Sequence, residues 1–254
     1  MTGTRMLILV GALIIASCGT TPATGTPPPG NSVTPAPVPT INEEGLVSGK
    51  LTCGNGDTFP AAALQGPGGA EIGLDAPAAG LRAVLAERGD PQIPLTGWHL
   101  VELTPTHAQF VARGLGGSQW VVVALDMNGG GWTMDLAGQC HLAVVLGPGI
   151  NPAPWWLDPA AGDLVATQTT LDVLVQESAC AGGRPPDGRI VPPVIVYQPD
   201  ALVVVFGTIP LPGAQDCVGA APAKYRIALR EPLGNRRLLD GGVVPPRDAT
   251  RPPN

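Results

Sequence analysis

The stretch Gln119-Trp-Val-Val-Val-Ala-Leu-Asp-Met-Asn-Gly-Gly-Gly-Trp-Thr-Met-Asp-Leu136 decides the fold class of this chain. Two runs rich in apolar residues flank Asn128-Gly129, a pair that favours a β-hairpin turn because both residues tolerate positive φ. Asp126 and Asn128 also place two oxygen-bearing side chains before glycines, as a calcium loop does. No Glu at the required spacing closes such a loop, so we predict a turn between two antiparallel strands.

Neighbouring segments extend this hairpin into an antiparallel meander. Trp98 to Leu103 and Ala108 to Arg113 precede it and Cys140 to Leu146 follows it, with Gly- or Pro-containing breaks between the segments. Upstream, Asp75 to Arg88 begins with a capping Asp and places its apolar residues on one face of a helix. We predict an α+β module at residues 43–150 that carries this one helix.

A second, β-sandwich-like module is predicted at residues 164–242, after a link at 151–163. Leu171, Val173 and Val175 alternate along the chain, which is typical of a strand with one buried face. The strand candidates of this module are Thr170 to Glu177, Val191 to Tyr197, Ala201 to Ile209 and Tyr225 to Arg230.

The composition excludes several classes of protein. Of 254 residues, 44% are apolar and 13% charged, which argues against a highly charged disordered chain and against a coiled coil. The net charge of -6 and the presence of only two lysines remove the basic surface that nucleic-acid binding needs. Since the one long apolar run is N-terminal, a multi-span membrane protein is also excluded.

The N-terminus has the features of an export signal. Arg5 precedes the apolar run Met6 to Ile15, which rises only about 15 Å as a helix, half of a bilayer core. The run ends in Ile15-Ala16-Ser17-Cys18-Gly19, which resembles the lipobox of bacterial lipoproteins. That resemblance implies cleavage after residue 17 and diacylation (palmitate or a similar acyl chain) of Cys18 as the new N-terminus.

Two further segments contain too few apolar residues for a core. Residues 18–42 are rich in Pro and Thr and lack charge until the acidic residues that follow, so we predict a disordered tether of up to about 3.1 Å per residue. Residues 243–254 are rich in Pro and are predicted to form a disordered tail.

The remaining four cysteines, Cys53, Cys140, Cys180 and Cys217, allow three disulfide pairings. Because the chain divides near residues 148–163, we favour Cys53 with Cys140 and Cys180 with Cys217. None of the four forms a C-x-x-C pair and only His141 adjoins one, so we predict no zinc site and no cofactor.

A second resemblance concerns about 75 residues of the second module. Glu177 to Gly183, Gly188 to Ile190, Asp216-Cys217, Leu229 to Gly234 and Leu239 to Gly241 resemble, in order, the turn and disulfide pattern of uncharacterised secreted β-modules of high-GC bacteria. This resemblance implies a fold only, because that family has no activity to carry over to these residues.

The three histidines His99, His107 and His141 are the natural candidates for a general base, and Glu102 or Asp126 could orient one of them. The chain contains no H-E-x-x-H, G-x-S-x-G, Walker or strand-linked G-x-G-x-x-G motif. We therefore assign no catalytic residue.

Two groups of residues are candidate binding surfaces. Trp155 and Trp156, flanked by prolines, would form either an exposed stacking platform or a cover over the seam between the modules, and we favour the cover. A C-terminal set of arginines would form either a basic edge or pairs with nearby acids, and we favour the pairs; the set is Arg226, Arg230, Arg236 and Arg237.

The sequence thus predicts a mainly β (α+β) protein of two small disulfide-stapled antiparallel modules behind a Pro-rich tether. Its expected location is extracytoplasmic, on the outer side of the bacterial cell membrane, held by lipidated Cys18. Its expected function is non-enzymatic binding of an envelope protein or glycan, with a cell-envelope hydrolase using the histidines of the first module as the alternative. We expect no nucleic-acid partner.

Overall fold

The fold is given by a computed structural model that describes residues 49–54, 57–89, 92–115 and 120–253. The predicted signal peptide at 1–17, the lipidation site Cys18 and the tether at 18–42 lie outside the described residues. The described residues are mainly β, as the sequence predicts.

The described residues contain one α-helix, α1 (Ala76–Arg88), and short 3₁₀ turns at Ala61–Leu64, Ala70–Ile72 and Pro159–Ala161. The strands in chain order are β1 (Lys50–Thr52), β2 (Thr58–Pro60), β3 (His99–Leu103), β4 (His107–Arg113), β5 (Trp120–Asn128), β6 (Gly131–Cys140), β7 (Ala143–Val144), β8 (Asn151–Ala153), β9 (Trp155–Leu157), β10 (Thr170–Val175), β11 (Ile190–Tyr197), β12 (Ala201–Thr208), β13 (Ala223–Ala228), β14 (Arg237–Asp240) and β15 (Arg247–Asp248).

Strands β3 to β6 form the predicted antiparallel meander, in chain order across the sheet. Asn128 pairs with Gly131 across a two-residue turn whose Gly129 and Gly130 have φ of 59° and 87°. Positive φ at both central residues matches the right-handed twist of the strands, which is why glycine is suited to both positions. The structure confirms the hairpin turn at this site.

Helix α1 covers one face of this sheet. Its N-cap is Asp75, whose carboxylate accepts a hydrogen bond from the Ala78 amide at 2.8 Å, as the sequence predicts. Its apolar face, with Leu81 fully buried, packs against Val123 and Leu125 of β5. A Cβ on Gly80 would lie 2.8 Å from the Cβ of Trp132, so this close approach requires glycine.

The opposite face of the same sheet packs against the second predicted module. Val111 and Val122 share a hydrophobic cluster with Val203 and Val205 of β12, and β1, β2 and β7 add further side chains to this cluster. The two predicted modules therefore share a hydrophobic core. The described residues of both belong to one compact unit.

Strand β12 is buried along its whole length because it lies between two cores. Ala201, Val203 and Val205 point into the cluster shared with the first module, whereas Leu202, Val204 and Phe206 point into a third cluster. The third cluster is closed by the sheet β13-β10-β9. Helix α1 and three of the four sheets form a stack of four layers with a hydrophobic cluster between each pair of neighbours, and the small sheet β2-β1-β7 adds side chains to the shared cluster.

Two features of the second module differ from the prediction. Strand β12 pairs with β14 in parallel and with β8 and β11 antiparallel, so this module is not purely antiparallel. A parallel pair requires a long crossover, which β13 supplies by running through the next sheet. The predicted link at 151–163 contains β8 and β9, which pair with β12 and β10, so it is part of both sheets.

The predicted disordered tail is also wrong for its described residues, 243–253. Strand β15 pairs with β14, Val244 belongs to the shared cluster, and Ala249 has no exposed surface. The order comes from tertiary contacts, because Arg247 donates hydrogen bonds to the buried carboxylate of Asp240 at 3.0 Å and to the Trp155 carbonyl at 2.8 Å.

Two disulfides staple the body, Cys53–Cys140 and Cys180–Cys217, the pairing favoured from the sequence. They indicate an oxidising, extracytoplasmic environment, since cytoplasmic thiols are kept reduced. Among the described residues, no helix has both the length and the apolar character needed to cross a bilayer.

Candidate functional site

The structure does not bring the three histidines together. His99 opens β3 and pairs with Val111, whereas His107 opens β4 four residues before Val111, at the other end of the same strand pair. His141 lies beyond the end of β6, in a separate cleft. A site that needs two imidazoles is therefore absent from the described residues.

His107 does form the predicted type of pair with a carboxylate. Its Nδ1 lies 2.8 Å from Oδ1 of Asp126, its cross-strand partner, and the two side chains are 25% and 42% exposed. Its Nε2 is buried and has no hydrogen-bond partner among the described residues. Such an oriented ring could accept a proton at Nε2, and it lies outside the cleft that contains His141 and the pocket that contains His99.

Gln109, which the sequence analysis did not single out, lies two residues along the same strand face as His107. Its side chain is fully buried, and neither the amide nitrogen nor the amide oxygen has a partner among the described residues. In the register of β3 against β4, Glu102 lies opposite Gln109 and not opposite a histidine. This row of polar groups is unusual in a β-sheet core, where buried amides normally form hydrogen bonds.

A cleft of about 550 Å³ lies where the first module, residues 151–154 of the predicted link, and the second module meet. Its lining is largely apolar, with polar side chains from five segments of the chain. The lining residues are Thr52, Cys53, Gly54, His141, Ala143, Asn151, Pro152, Ala153, Pro154, Ser178, Ala179, Asp240, Gly242 and Val243.

The carboxylate of Asp240 and the hydroxyl of Ser178, which both line this cleft, form hydrogen bonds within the protein. Asp240 has no exposed surface, and its carboxylate accepts hydrogen bonds from the Gly242 amide at 2.9 Å and from Arg247 at 3.0 Å. Burial raises the pKa of Asp240, while Gly242 and Arg247 act in the opposite direction. Ser178 Oγ donates to the Pro152 carbonyl at 3.0 Å. Thr52, His141 and Asn151 remain as the polar side chains able to meet a ligand, since the Thr52 hydroxyl accepts a hydrogen bond from the Gly54 amide and keeps its own donor.

The tryptophan pair is not a platform. Trp155 is completely buried and Trp156 is 8% exposed, and the Trp155 indole nitrogen donates to the Val204 carbonyl at 3.0 Å. The Trp155 ring lies 5.8 Å from the ring of Phe206, inside the core of the second module. The exposed stacking surface predicted as one reading of Trp155 and Trp156 is wrong, because β9 turns Trp155 into a core rather than outward.

The C-terminal arginines pair locally, as favoured from the sequence. Arg226 binds Asp172 at 2.6 Å, Arg237 binds Asp200 at 2.6 Å and Arg236 binds Glu231 at 2.8 Å. Arg226 and Arg237 hold the pKa of Asp172 and Asp200 below the ordinary value. Arg230 stacks over the Tyr197 ring at 4.0 Å. These contacts neutralise the basic edge.

Among the described residues, no three His, Cys, Asp or Glu side chains lie close enough to hold a metal ion. Comparison with models of protein families, with curated proteins and with solved structures finds no match to this chain. The resemblance of the second module to secreted β-modules therefore stays a prediction, and function has to be argued from the geometry above.

Proposed function

We propose that this protein is a lipid-anchored extracytoplasmic binding protein without enzymatic activity, whose ligand is presented by another component of the envelope. The cleft of about 550 Å³ carries this proposal, because its apolar walls are suited to ligand binding and its Ser and Asp side chains are engaged by the protein itself.

The anchor rests on the order of segments along the chain. An apolar run that ends in Ala16-Ser17-Cys18 is followed by a charge-poor, Pro-rich stretch and then by the disulfide-stapled body. Each buried CH₂ of an acyl chain contributes about 0.8 kcal/mol, so two or more chains on Cys18 suffice for stable attachment. We expect Cys18→Ala to move the protein from the membrane fraction to the medium; retention in the membrane would refute the anchor.

The ligand expected in the cleft is a mainly apolar side chain or short extended segment of an envelope partner. Pro152 and Pro154 remove two amide donors from one wall, so contacts there are apolar, while His141 and Asn151 offer hydrogen bonds at the rim. A glycan would require more polar groups than this wall supplies.

The binding experiment fills the cleft without changing charge. The mature protein in mild detergent is used to capture partners from envelope extract, with Ala179→Trp as the test variant and Ala214→Trp, at an exposed site that lines none of the clefts described, as its matched control. We expect Ala179→Trp to lose the captured partner and Ala214→Trp to retain it. Equal capture by both variants would exclude the cleft.

An envelope hydrolase is the second candidate, favoured by the His107–Asp126 pair with its unpartnered Nε2. If the protein hydrolyses envelope material, His107→Ala should lower the rate at least 100-fold, the usual range for loss of a general base, and His141→Ala should not. Absence of turnover by the wild-type protein on cell-wall polymers and envelope esters would dismiss this candidate.

A further inference from the structure

Arg113 has no acidic partner among the described residues and, unlike Arg82 and Arg184, its guanidinium donates no hydrogen bond to another described residue. It ends β4, opposite Trp120 at the start of β5, and its guanidinium carbon lies 4.3 Å from the centre of the Trp120 ring. The guanidinium of Arg113 forms no hydrogen bond or ion pair with another described residue, whereas the guanidinium groups of Arg189 and Arg226 each bind a carboxylate. Its planar fork of N–H donors is thus available along the edge that Trp120 leaves open.

The surroundings of Arg113 form a second, smaller pocket of about 260 Å³. His99 of β3 lies on the same face of the sheet, because it pairs with Val111, two residues before Arg113. None of the lining residues is acidic, although the protein carries a net charge of -6. The lining residues are Leu51, Ala61, Leu64, Gln65, His99, Arg113, Trp120 and Val244.

The rest of the molecule holds this pocket in shape. The Trp120 indole nitrogen donates to the Val244 carbonyl at 2.9 Å, which fixes the ring under the guanidinium. Arg113 is exposed at the end of β4, and partial burial of its side chain lowers its pKa. An anion in the pocket would supply the missing partner, and a bidentate arginine contact is among the strong charge-assisted hydrogen bonds.

We propose that the pocket formed by Arg113, Trp120 and His99 binds a small oxyanion, either a carboxylate or a phosphate group. Arg113 supplies the paired donors, an N–H of the His99 ring supplies a third, and Trp120 holds the guanidinium in place. This pocket shares no lining residue with the cleft of the proposed function, so the two proposals stand or fall separately.

The experiment is a titration of the mature full-length protein with sodium propionate or inorganic phosphate, against sodium chloride at equal ionic strength. The readout is the indole N–H resonance of Trp120, assigned with Trp120→Phe. We expect a saturable shift with one or both oxyanions and none with chloride. The tighter of the two identifies the chemical class, and a response no larger than that to chloride would overturn the proposal.

Three variants test the assignment. Arg113→Met should weaken binding at least tenfold, and Gln65→Glu should abolish it, because the new carboxylate competes for Arg113 without removing any core group. Arg230→Met is the matched control, since Arg230 also stacks on an aromatic ring, and it should bind as the wild type does. If Arg113→Met fails to fold, Gln65→Glu still decides: unchanged anion affinity in that variant would contradict the proposal.

Discussion

The two regions of the body differ in how their charged groups are paired, although each contains a buried polar side chain without a hydrogen-bond partner among the described residues, Gln109 in the first and Thr208 in the second. In the second region, residues 151–253, all six recorded ion pairs join an arginine or lysine to a carboxylate. In the described part of the first region, residues 49–150, the structure shows the ion pair His107–Asp126, and the side chains of Gln109 and Arg113 have no polar partner among the described residues.

This difference separates structural charges from available ones. A charge whose partner is already present, such as Arg226 on Asp172, has its donors occupied and contributes to the shape of the sheet. A buried polar group without a partner costs free energy, and proteins keep such groups chiefly where a ligand, water or reaction uses them. The first region therefore contains the better candidates for chemistry, and the following predictions test that division.

The largest effect expected is from removal of the disulfides. In a chain-entropy picture, loss of Cys53–Cys140, separated by 87 residues, costs about 5 kcal/mol, and loss of Cys180–Cys217, separated by 37, about 4 kcal/mol. Cys140 also packs in the shared cluster, which widens the gap. Urea unfolding of the two double-alanine variants measures both values. A larger loss of unfolding free energy on removal of Cys180–Cys217 than on removal of Cys53–Cys140 would show that the first region does not depend more strongly on its disulfide.

Breaking the Arg189–Glu177 pair should cost about 3 kcal/mol. Glu177 has no exposed side-chain surface, and Arg189 contacts both its oxygens at 2.6 and 2.5 Å. Arg189→Met leaves the buried carboxylate of Glu177 without its cationic partner. The expected loss lies at the low end of the range for removing one partner of a buried ion pair, because 16% of the Arg189 side chain is exposed. Arg226→Met, at an exposed pair, is the control and should change the unfolding free energy much less. Equal losses would erase the distinction between buried and surface pairs in the second region.

Replacing Gln109 by Met should stabilise the protein, the opposite sign to the previous variants. The buried amide lacks partners among the described residues, so its removal relieves about 1 to 2 kcal/mol of desolvation cost. Thermal unfolding should show a rise of a few degrees. Gln139→Met is the control, because that amide donates to Gln92 at 3.1 Å and lies at the surface. A destabilised Gln109→Met would mean that the amide does have a partner and the regions are alike.

The smallest effect concerns pH and Glu71 of the first region. Burial acts to raise the pKa of Glu71, but its own amide and those of Trp98 and Gly97 outweigh this and hold the pKa below the ordinary 4.5. A carboxyl with a lowered folded-state pKa stabilises the fold above the unfolded-state value and loses that contribution as the pH falls through the folded-state value. The advantage of wild type over Glu71→Gln should therefore shrink below about pH 4.5. If the difference in unfolding free energy between wild type and Glu71→Gln does not change with pH, the backbone amides do not stabilise the ionised carboxylate of Glu71.

Local signals in the sequence predicted the elements well. The Asn128-Gly129 signal predicted the hairpin one residue early, since Gly129 and Gly130 have the positive φ. Asp75 predicted the start of α1, and alternation at Leu171, Val173 and Val175 predicted the strand β10. The apolar runs Trp120 to Leu125 and Ala201 to Phe206 also carried a signal that was missed. An unbroken apolar run is typical of a strand buried on both faces, and both runs lie between two layers.

The candidate sites were less accessible to sequence reasoning. Asp126 could be named from the sequence as a carboxylate able to orient a histidine, and the register of β4 against β5 places it opposite His107. The cleft and the Arg113 pocket could not, since each collects side chains from segments more than 100 residues apart. Trp155 was ambiguous for the same reason: its neighbours Val204 and Phe206 are distant along the chain.

The sequence by itself determined the mainly β class, the single helix, the turn chemistry and the disulfide pairing that we favoured, because each depends on residues close together or on a short set of cysteines. Only the tertiary structure decided that the modules share a core, that residues 151–163 and 243–253 are strands and packed ends, and that Arg113 lacks an acid. Those outcomes depend on which apolar faces meet. The sequence of a strand that is apolar on both faces, such as β12, shows that both faces must be buried but does not show which elements bury them.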